Sequence, residues 1–222
     1  MSNTVITIDG PSASGKSTIA RCVAEEKKGL IYVDSGSLYR GVAWKALHEQ
    51  IDADDIDGLT KLLDNLEIEF FINNCAVQFR IDGKELREEL RTEAVNEVVS
   101  PISAVPVVRS RVVSWLRDMI RFGDLVMEGR DIGTAVFPES KFKFFLDADP
   151  AERARRRYTE MAQSEDQASI GKVEESLKRR DMIDSNRDMD PLRVPPGAVV
   201  VNSTSMTIDE VVNFIIKNIE MV

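Results

Sequence analysis

"GPSASGKS", residues 10–17, is the stretch that decides the fold of this chain. It has the form G-x-x-x-x-G-K-[ST]. It stands between an apolar run, "TVITID" (4–9), and a segment of helical length. That strand–loop–helix setting is the context in which the pattern carries meaning. Gly10 and Gly15 let the chain wrap closely around an anion. The intervening Pro11, Ser12, Ala13 and Ser14, with Thr18 just beyond, complete a loop whose backbone N–H groups and helix N-terminus point at phosphate. Lys16 can reach β- and γ-phosphates, and Ser17 can offer its hydroxyl to Mg²⁺. The alternative, an ordinary Gly/Ser turn opening a helix, does not account for the lysine and the flanking elements together. The loop implies a nucleoside triphosphate ligand, ATP by expectation, without separating kinases from switches, pumps or motors.

Outward from the loop, short apolar runs alternate with helix-length segments. "LIYVD" (30–34), "DLVMEG" (124–129), "KFKFFLD" (141–147) and "GAVVVN" (197–202) join 4–9 as buried strands. Such runs, separated by crossover helices, indicate a parallel sheet covered on both faces. Val105, Val108, Val112, Trp115 and Met119 follow the helical i, i+3, i+4 rule, as do Ile208, Val211, Val212, Ile215 and Ile219, so both sets read as core-facing stripes. One region departs from the alternation. "LEIEFFINN" (66–74) and "AVQFRIDGKEL" (76–86) read as neighbouring antiparallel strands outside the main sheet, with Asp82-Gly83 as a turn signal. The expected fold is α/β: a three-layer phosphate-loop fold with a five-stranded parallel core sheet, helices on both faces, and a small inserted subdomain with antiparallel strands at about 62–96.

Composition narrows the functional classes. The 222 residues suit one α/β domain with an insertion, and 43% hydrophobic residues can build a substantial core. No apolar run approaches the ~20 residues that span a bilayer, and the N-terminus does not read as a signal peptide, so a cytoplasmic location without membrane contact is expected. Cys22 and Cys75 make neither a disulfide framework nor a metal cluster. The net charge is −9, and residues 51–100 hold 13 acidic against 5 basic side chains. Against that background "ERARRRYTE" (152–160) puts Arg153, Arg155, Arg156 and Arg157 close together. Residues 151–193 hold 10 charges of each sign, so the run has no net basic surroundings and does not read as a nucleic-acid footprint.

Three further stretches lie where open α/β sheets bind ligands, beyond the C-terminal ends of strands. "DSGSLYRG" (34–41) sets Ser35, Tyr39 and Arg40 at a helix start, as either a plain capped helix or a second anion site. "EGRDIGTAVFP" (128–138) sets Arg130 beside Asp131, with Glu128 in reach of Mg²⁺ through water. "RRDMIDSNR" (179–187) spaces Arg180, Asp184 and Arg187 along one helix face, which by itself fits an intrahelical salt-bridge ladder of ~0.3–0.5 kcal/mol per pair. There is no N-K-x-D guanine motif and no ABC-type signature. His48 is the single histidine and falls in an ordinary helical stretch. A phosphate acceptor would need no histidine base, because its second pKa of ~6 leaves the attacking oxygen ionised at pH 7.

In that order, the phosphate loop, "DSGSLYR", "SPISAVPVVRSRV", "EGRDIGTAVFP", "ERARRRY" and "RRDMIDSNR" closely resemble the bacterial-type cytidylate kinases of the nucleoside monophosphate kinase group. The resemblance runs over essentially the full chain. "GRDIGTAVFP" and "RRDxxDSNR" are its most specific parts. Ser35, Ser37 and Asn202 depart from residues common in that family. The resemblance implies transfer of a phosphoryl group from ATP, with Mg²⁺, to CMP or dCMP by a monomer. UMP/CMP kinases, small-metabolite kinases and a non-enzymatic nucleotide switch stand as alternatives. It implies an acceptor-binding insertion at about 62–96 and a lid at about 148–168. Ser35, Tyr39, Arg40, Arg130 and Arg180 would meet the acceptor phosphate and sugar. Ser100, Arg109 and Asp131 would read cytosine, and Asp184 and Arg187 the ribose side. Lys16, Arg130, Arg156, Arg157 and Arg180 would act on the transferring group. Arg153, Arg156 and Arg157 share a helix face and would close over the triphosphate, while Arg155 projects away toward a local acid.

Overall fold

The computed structural model describes residues 3–162 and 169–220. Residues 163–168 of the expected lid lie outside that set. Strand β1 (Val5–Asp9) is flanked in parallel by β6 (Asp124–Gly129) and β7 (Phe142–Asp147). β2 (Leu30–Asp34) pairs with β6, and β8 (Val199–Asn202) with β7, so the parallel order is β2-β6-β1-β7-β8. Side chains alternate across the sheet as the two-residue strand period demands. In β6, Leu125 and Met127 face one apolar cluster and Val126 the other.

Each face is covered by helices. α1 (Lys16–Glu26) and α8 (Ile208–Glu220) bury Ile19, Val23, Val212 and Ile215 against one side. α2 (Ser35–His48), α3 (Ile56–Asn65), α4 (Glu93–Ala104) and α5 (Pro106–Asp118) cover the other with Leu38, Leu59, Val99 and Val112. Both expected stripes are core-facing apart from their edges: Ile208 at the start of α8 is 50% exposed, and Trp115 is half-buried. α6 (Pro150–Ala162) and α7 (Ile170–Asn186) pack together at the C-terminal end of the sheet through Ala154, Val173 and Leu177. No helix among the described residues is long and apolar enough to cross a membrane.

The inserted strands differ from the sequence expectation in two respects. β3 (Ile68–Asn73) and β4 (Ala76–Ile81) are antiparallel to each other, but β4 also joins the edge of the main sheet. The join is a single parallel bridge, Tyr32 to Ala76, backed by the bond from Tyr32 N to the Cys75 carbonyl at 2.8 Å. The hairpin is thus held to the sheet mainly at its turn and packs its own Phe79 and Ile81 into the core cluster beneath α2. The second difference is in the turns. The β3–β4 turn is Asn74-Cys75, with φ of 48° and 56°. Asp82-Gly83 forms a second tight turn, to the two-residue strand β5 (Lys84–Glu85). Cysteine is not a residue that marks a turn needing φ > 0, which is why the first turn is hard to read from sequence.

Candidate active site

The phosphate loop leaves the end of β1 and enters α1 with its geometry set by two glycines. Gly10 has φ of +151°, and a Cβ there would stand 2.0 Å from the Leu146 carbonyl oxygen, so only glycine fits. Gly15 is left-handed at φ of +95° and caps α1. Lys16 is buried, and its ammonium donates to the Pro11 carbonyl at 2.6 Å. The Ser17 hydroxyl donates to Glu128 Oε1 at 2.6 Å.

Ser12 is held from three sides. Its N–H donates to Asp181 at 2.9 Å, its carbonyl accepts from Arg153 at 3.0 Å, and its hydroxyl accepts from Arg130 at 2.9 Å. Arg153 also bonds Asp181 at 2.5 Å. Arg156 donates to the carbonyls of Ser14 and Ser203 at 3.3 and 2.7 Å. α6 and α7 therefore brace the outer side of the loop.

A cleft of about 500 Å³ opens between this loop, the start of α2, the Glu128–Asp131 segment and α7. Arg40, Arg130, Arg157 and Arg180 converge on it, with Arg91 from the short helical turn Glu88–Arg91. Burial, with the neighbouring guanidiniums of Arg130 and Arg40, pushes Arg180 below the ordinary arginine value. Arg40 is lowered for the same first reason, burial. Arg180 Nε and the Tyr39 hydroxyl are buried without a hydrogen-bond partner among the described residues. Cationic and polar groups left unsatisfied around a concave space are what an anionic ligand would complete.

Burial is the chief displacement at Lys16, Glu128 and Asp9. Burial, reinforced by nearby Arg130, lowers Lys16, and burial together with Asp34 raises Glu128. Asp9 is raised to about 7 by burial, against the opposing pull of two backbone donors. Those donors are the N–H groups of Ile132 and Gly133, each at 2.7 Å, so Asp9 fixes the loop that follows Arg130 and Asp131.

The structure brings most of the sequence candidates together. Ser12, Ala13, Gly15, Lys16, Ser17 and Thr18 line the cleft on the loop side. On the opposite side are Ser35, Tyr39 and Arg40, then Ser100, Arg130 and Asp131, and on α7 Arg180, Asp184 and Arg187. Gly10, Pro11, Ser14, Arg109 and Arg156 do not line it. Ser35 spends its hydroxyl on the Glu128 carbonyl at 2.6 Å, and Arg40 donates to Leu90 and Asn96. Arg155 pairs with Glu152 on the surface. Arg109 is completely buried behind Asp131, which it bonds. Sequence reasoning passed over Arg91, Asp34, Asp181, Asp9 and Asp190. Asp181 lies inside the quoted "RRDMIDSNR", where its neighbour Arg180 drew the attention. Arg91 sits in an acidic segment with no pattern to mark it.

Ser17, Glu128 and Asp34 meet at one end of the cleft and offer hard oxygen donors only. That set fits Mg²⁺, which keeps several waters and binds through one or two carboxylates plus substrate phosphates. No group of three or more histidine, cysteine, aspartate or glutamate side chains forms a metal cage among the described residues.

Comparison with known proteins covers nearly the whole chain. The family profile described as cytidylate kinase matches residues 6–221. The cytidylate kinase of Fusobacterium nucleatum subsp. nucleatum is 37% identical over 222 residues, covering 100% of both chains. That of Clostridioides difficile (strain 630) is 38% identical over 221 residues, again covering 100% of both. That of Geobacter sulfurreducens is 40% identical over 209 residues, 94% of this chain and 89% of the relative. Among solved structures, an uncharacterized protein from Eubacterium ventriosum superposes with a TM-score of 0.53 at 13% identity, covering 99% of each chain. TT1252 from Thermus thermophilus gives 0.51 at 19%, covering 100% of this chain and 98% of that one. At such identities the two structures speak for the fold only.

Proposed function

The chain belongs to the cytidylate kinase family, and from that premise we propose that it transfers the γ-phosphoryl group of ATP to CMP and dCMP, giving ADP with CDP or dCDP. The observation that carries the reading is one cleft with a phosphate loop on one wall and Arg40, Arg130 and Arg180 on the other. Two phosphate-bearing ligands can meet there in line.

The residues divide the work by position. The loop N–H groups and Lys16 hold the β- and γ-phosphates of ATP and neutralise charge on the transferring group. Ser17, with Glu128 and Asp34 beyond it, would hold Mg²⁺, which supplies electrostatic stabilisation of the phosphates when bound. Arg40, Arg130 and Arg180 bind the acceptor phosphate, whose oxygen is already ionised at pH 7 and needs no base. Tyr39 and Ser35 border that phosphate, while Asp184 and Arg187 face the ribose. At the far end Asp131 accepts from the N4 amino group of cytosine, supported by Ser100 and by Arg109 behind it. Arg157 reaches the cleft from α6 and acts on the transferring group, with Arg153 and Arg156 holding the loop that carries it. The segment of about 62–96 moves as the acceptor-binding unit, and α6, within the segment of about 148–168, closes as a lid that excludes water. The protein works as a cytoplasmic monomer on small nucleotides.

The test is ADP release with ATP and Mg²⁺ against a panel of nucleoside monophosphates and small-metabolite acceptors. Acceptor-dependent ADP with CMP and dCMP is expected. ADP release that responds to no monophosphate would remove the proposal and favour a nucleotide-dependent switch.

A further inference from the structure

Six charged side chains form one alternating row that begins on the wall of the cleft and ends behind it. Arg130 bonds Asp184 at 2.8 Å, and Asp184 lies 3.9 Å from Arg187. Arg187 stands 3.2 Å from Asp131, Asp131 bonds Arg109, and Arg109 Nε donates to Asp190 at 3.3 Å. Three cations alternate with three anions. The row runs from the phosphate loop, where Arg130 donates to Ser12, to the base end. Its last member, Asp190, belongs to none of the binding stretches read from the sequence. It lies in the segment after α7, at a left-handed φ of 48°.

Asp190 also closes a ring. Its backbone carbonyl accepts from Arg187 Nε and Nη2 at 2.8 and 2.5 Å. Arg187, Asp131, Arg109 and Asp190 therefore touch in a circuit. Within it Arg109 is 0% exposed and divides its donors among three acceptors: Nη2 to Asp131, Nε to Asp190 and Nη1 to the Ser103 carbonyl at 3.3 Å. Of its two carboxylate partners, Asp131 lines the cleft and Asp190 does not.

We infer that Asp190 is a positioning residue for base selection: by taking Nε, it keeps Arg109 from closing a two-bond fork on Asp131 through Nε and Nη2. The physical ground is the preference of guanidinium for two parallel bonds to one carboxylate. With Asp190 present, Arg109 is shared, and Asp131 keeps lone-pair capacity on its cleft side to accept from an amino group. Without it, the Arg109 charge turns wholly onto Asp131. The carboxylate is then screened, and its contrast between an amino donor and a carbonyl acceptor shrinks. The inference rests on the reading of Asp131 as the group that faces the base.

Asp190→Gly tests this without straining the backbone, because glycine tolerates the left-handed conformation. The Asp190 carbonyl that holds Arg187 remains in the variant. kcat/KM for CMP and for UMP is measured on wild type, Asp190→Gly and Asp190→Asn, with thermal unfolding of each. The expected result is a fall of about tenfold in the CMP:UMP ratio for Asp190→Gly, carried by loss of CMP activity, and a smaller fall for Asp190→Asn, whose amide oxygen still accepts from Nε. A role confined to holding the fold would lower both substrates in parallel and leave the ratio unchanged. That outcome, in either variant that folds, overturns the inference while leaving the wild-type CMP activity and its reading intact. A wild type that phosphorylates neither nucleotide, or prefers neither, overturns the inference together with the reading beneath it.

Discussion

Arg130 donates one nitrogen to the Ser12 hydroxyl of the phosphate loop at 2.9 Å and another to the Asp184 carboxylate at 2.8 Å. One guanidinium thereby ties the phosphate loop to α7. Any displacement of the loop is felt by the guanidinium to which we assign the acceptor phosphate.

Arg130→Lys should therefore fail as a conservative change. A lysine carries one point of donation and cannot serve Ser12, Asp184 and a phosphate in a fixed fork. The expected result is a loss of ~10²-fold or more in kcat, on the scale of removing a preorganised donor from a charged transition state. Steady-state kinetics with CMP varied at saturating ATP checks it. A change confined to KM for CMP would show that Arg130 binds the acceptor without stabilising the transfer.

Lys16→Ala should leave the fold in place and lower turnover by ~10²–10³-fold. Lys16 donates to Pro11 and lies near Ser14, so its loss loosens the loop without opening the apolar core. Circular dichroism and ADP release, measured together, separate lost chemistry from lost structure. Near-normal turnover would remove the phosphate-loop assignment.

Proton linkage provides a test that needs no turnover. Burial and then Arg130 hold the Lys16 ammonium below the ordinary lysine value of about 10.4, while Glu128, Asp181 and Asp9 pull the other way. A bound triphosphate restores the charged form, so binding takes up a proton in the window between the lowered and ordinary values. Glu128, raised first by burial, shifts in the same direction beside an anion and in the opposite direction beside Mg²⁺. At pH 8 ATP itself is already ionised. Calorimetry of Mg²⁺-free ATP at pH 8, in two buffers of different ionisation enthalpy, should show net proton uptake, reduced by Mg²⁺ and reduced in Lys16→Met. Net release without Mg²⁺ would contradict the assignment.

Asp131→Ala should depress CMP phosphorylation far more than UMP phosphorylation. Cytosine presents an N4 amino donor where uracil presents the O4 acceptor, so a carboxylate there favours one and opposes the other. The variant will also melt at lower temperature. Asp131 is the shared counter-ion of buried Arg109 and Arg187, and breaking such a pair costs ~3–5 kcal/mol. Stability therefore does not discriminate between roles here, whereas the ratio of kcat/KM values does. An unchanged CMP:UMP ratio would rule out base reading by Asp131.

Much of this architecture is legible because its signals are local. The five parallel strands announce themselves as short Val-, Ile- and Phe-rich runs. The phosphate loop does so as a pattern bound to backbone geometry that only Gly10 and Gly15 allow. "RRDMIDSNR" reads from sequence as a salt-bridge ladder or a binding face. The fold turns Asp184 toward Arg130, at 2.8 Å, and leaves it 3.9 Å from Arg187 on its own segment. What sequence reading misses are groups whose meaning depends on distant partners. Asp9 is one residue in an apolar strand until the fold sets it under the N–H groups of Ile132 and Gly133. Arg153 and Arg156 read as members of a charged face. They take on a bracing geometry only when α6 comes to rest against Ser12, Ser14 and Ser203. Asp190 lies 81 positions from the arginine it holds, and no periodicity links them.

The most direct measurement is a competition in one vessel: equal concentrations of CMP and UMP, ATP with Mg²⁺, and separation of CDP from UDP at low conversion. Under these conditions the product ratio equals the ratio of kcat/KM values, free of differences between enzyme preparations. A buried mismatch of ~1–3 kcal/mol at Asp131, larger because the group is charged, predicts CDP in excess over UDP by at least ~10-fold. Equal amounts of the two diphosphates, or no CDP at all, would contradict the account.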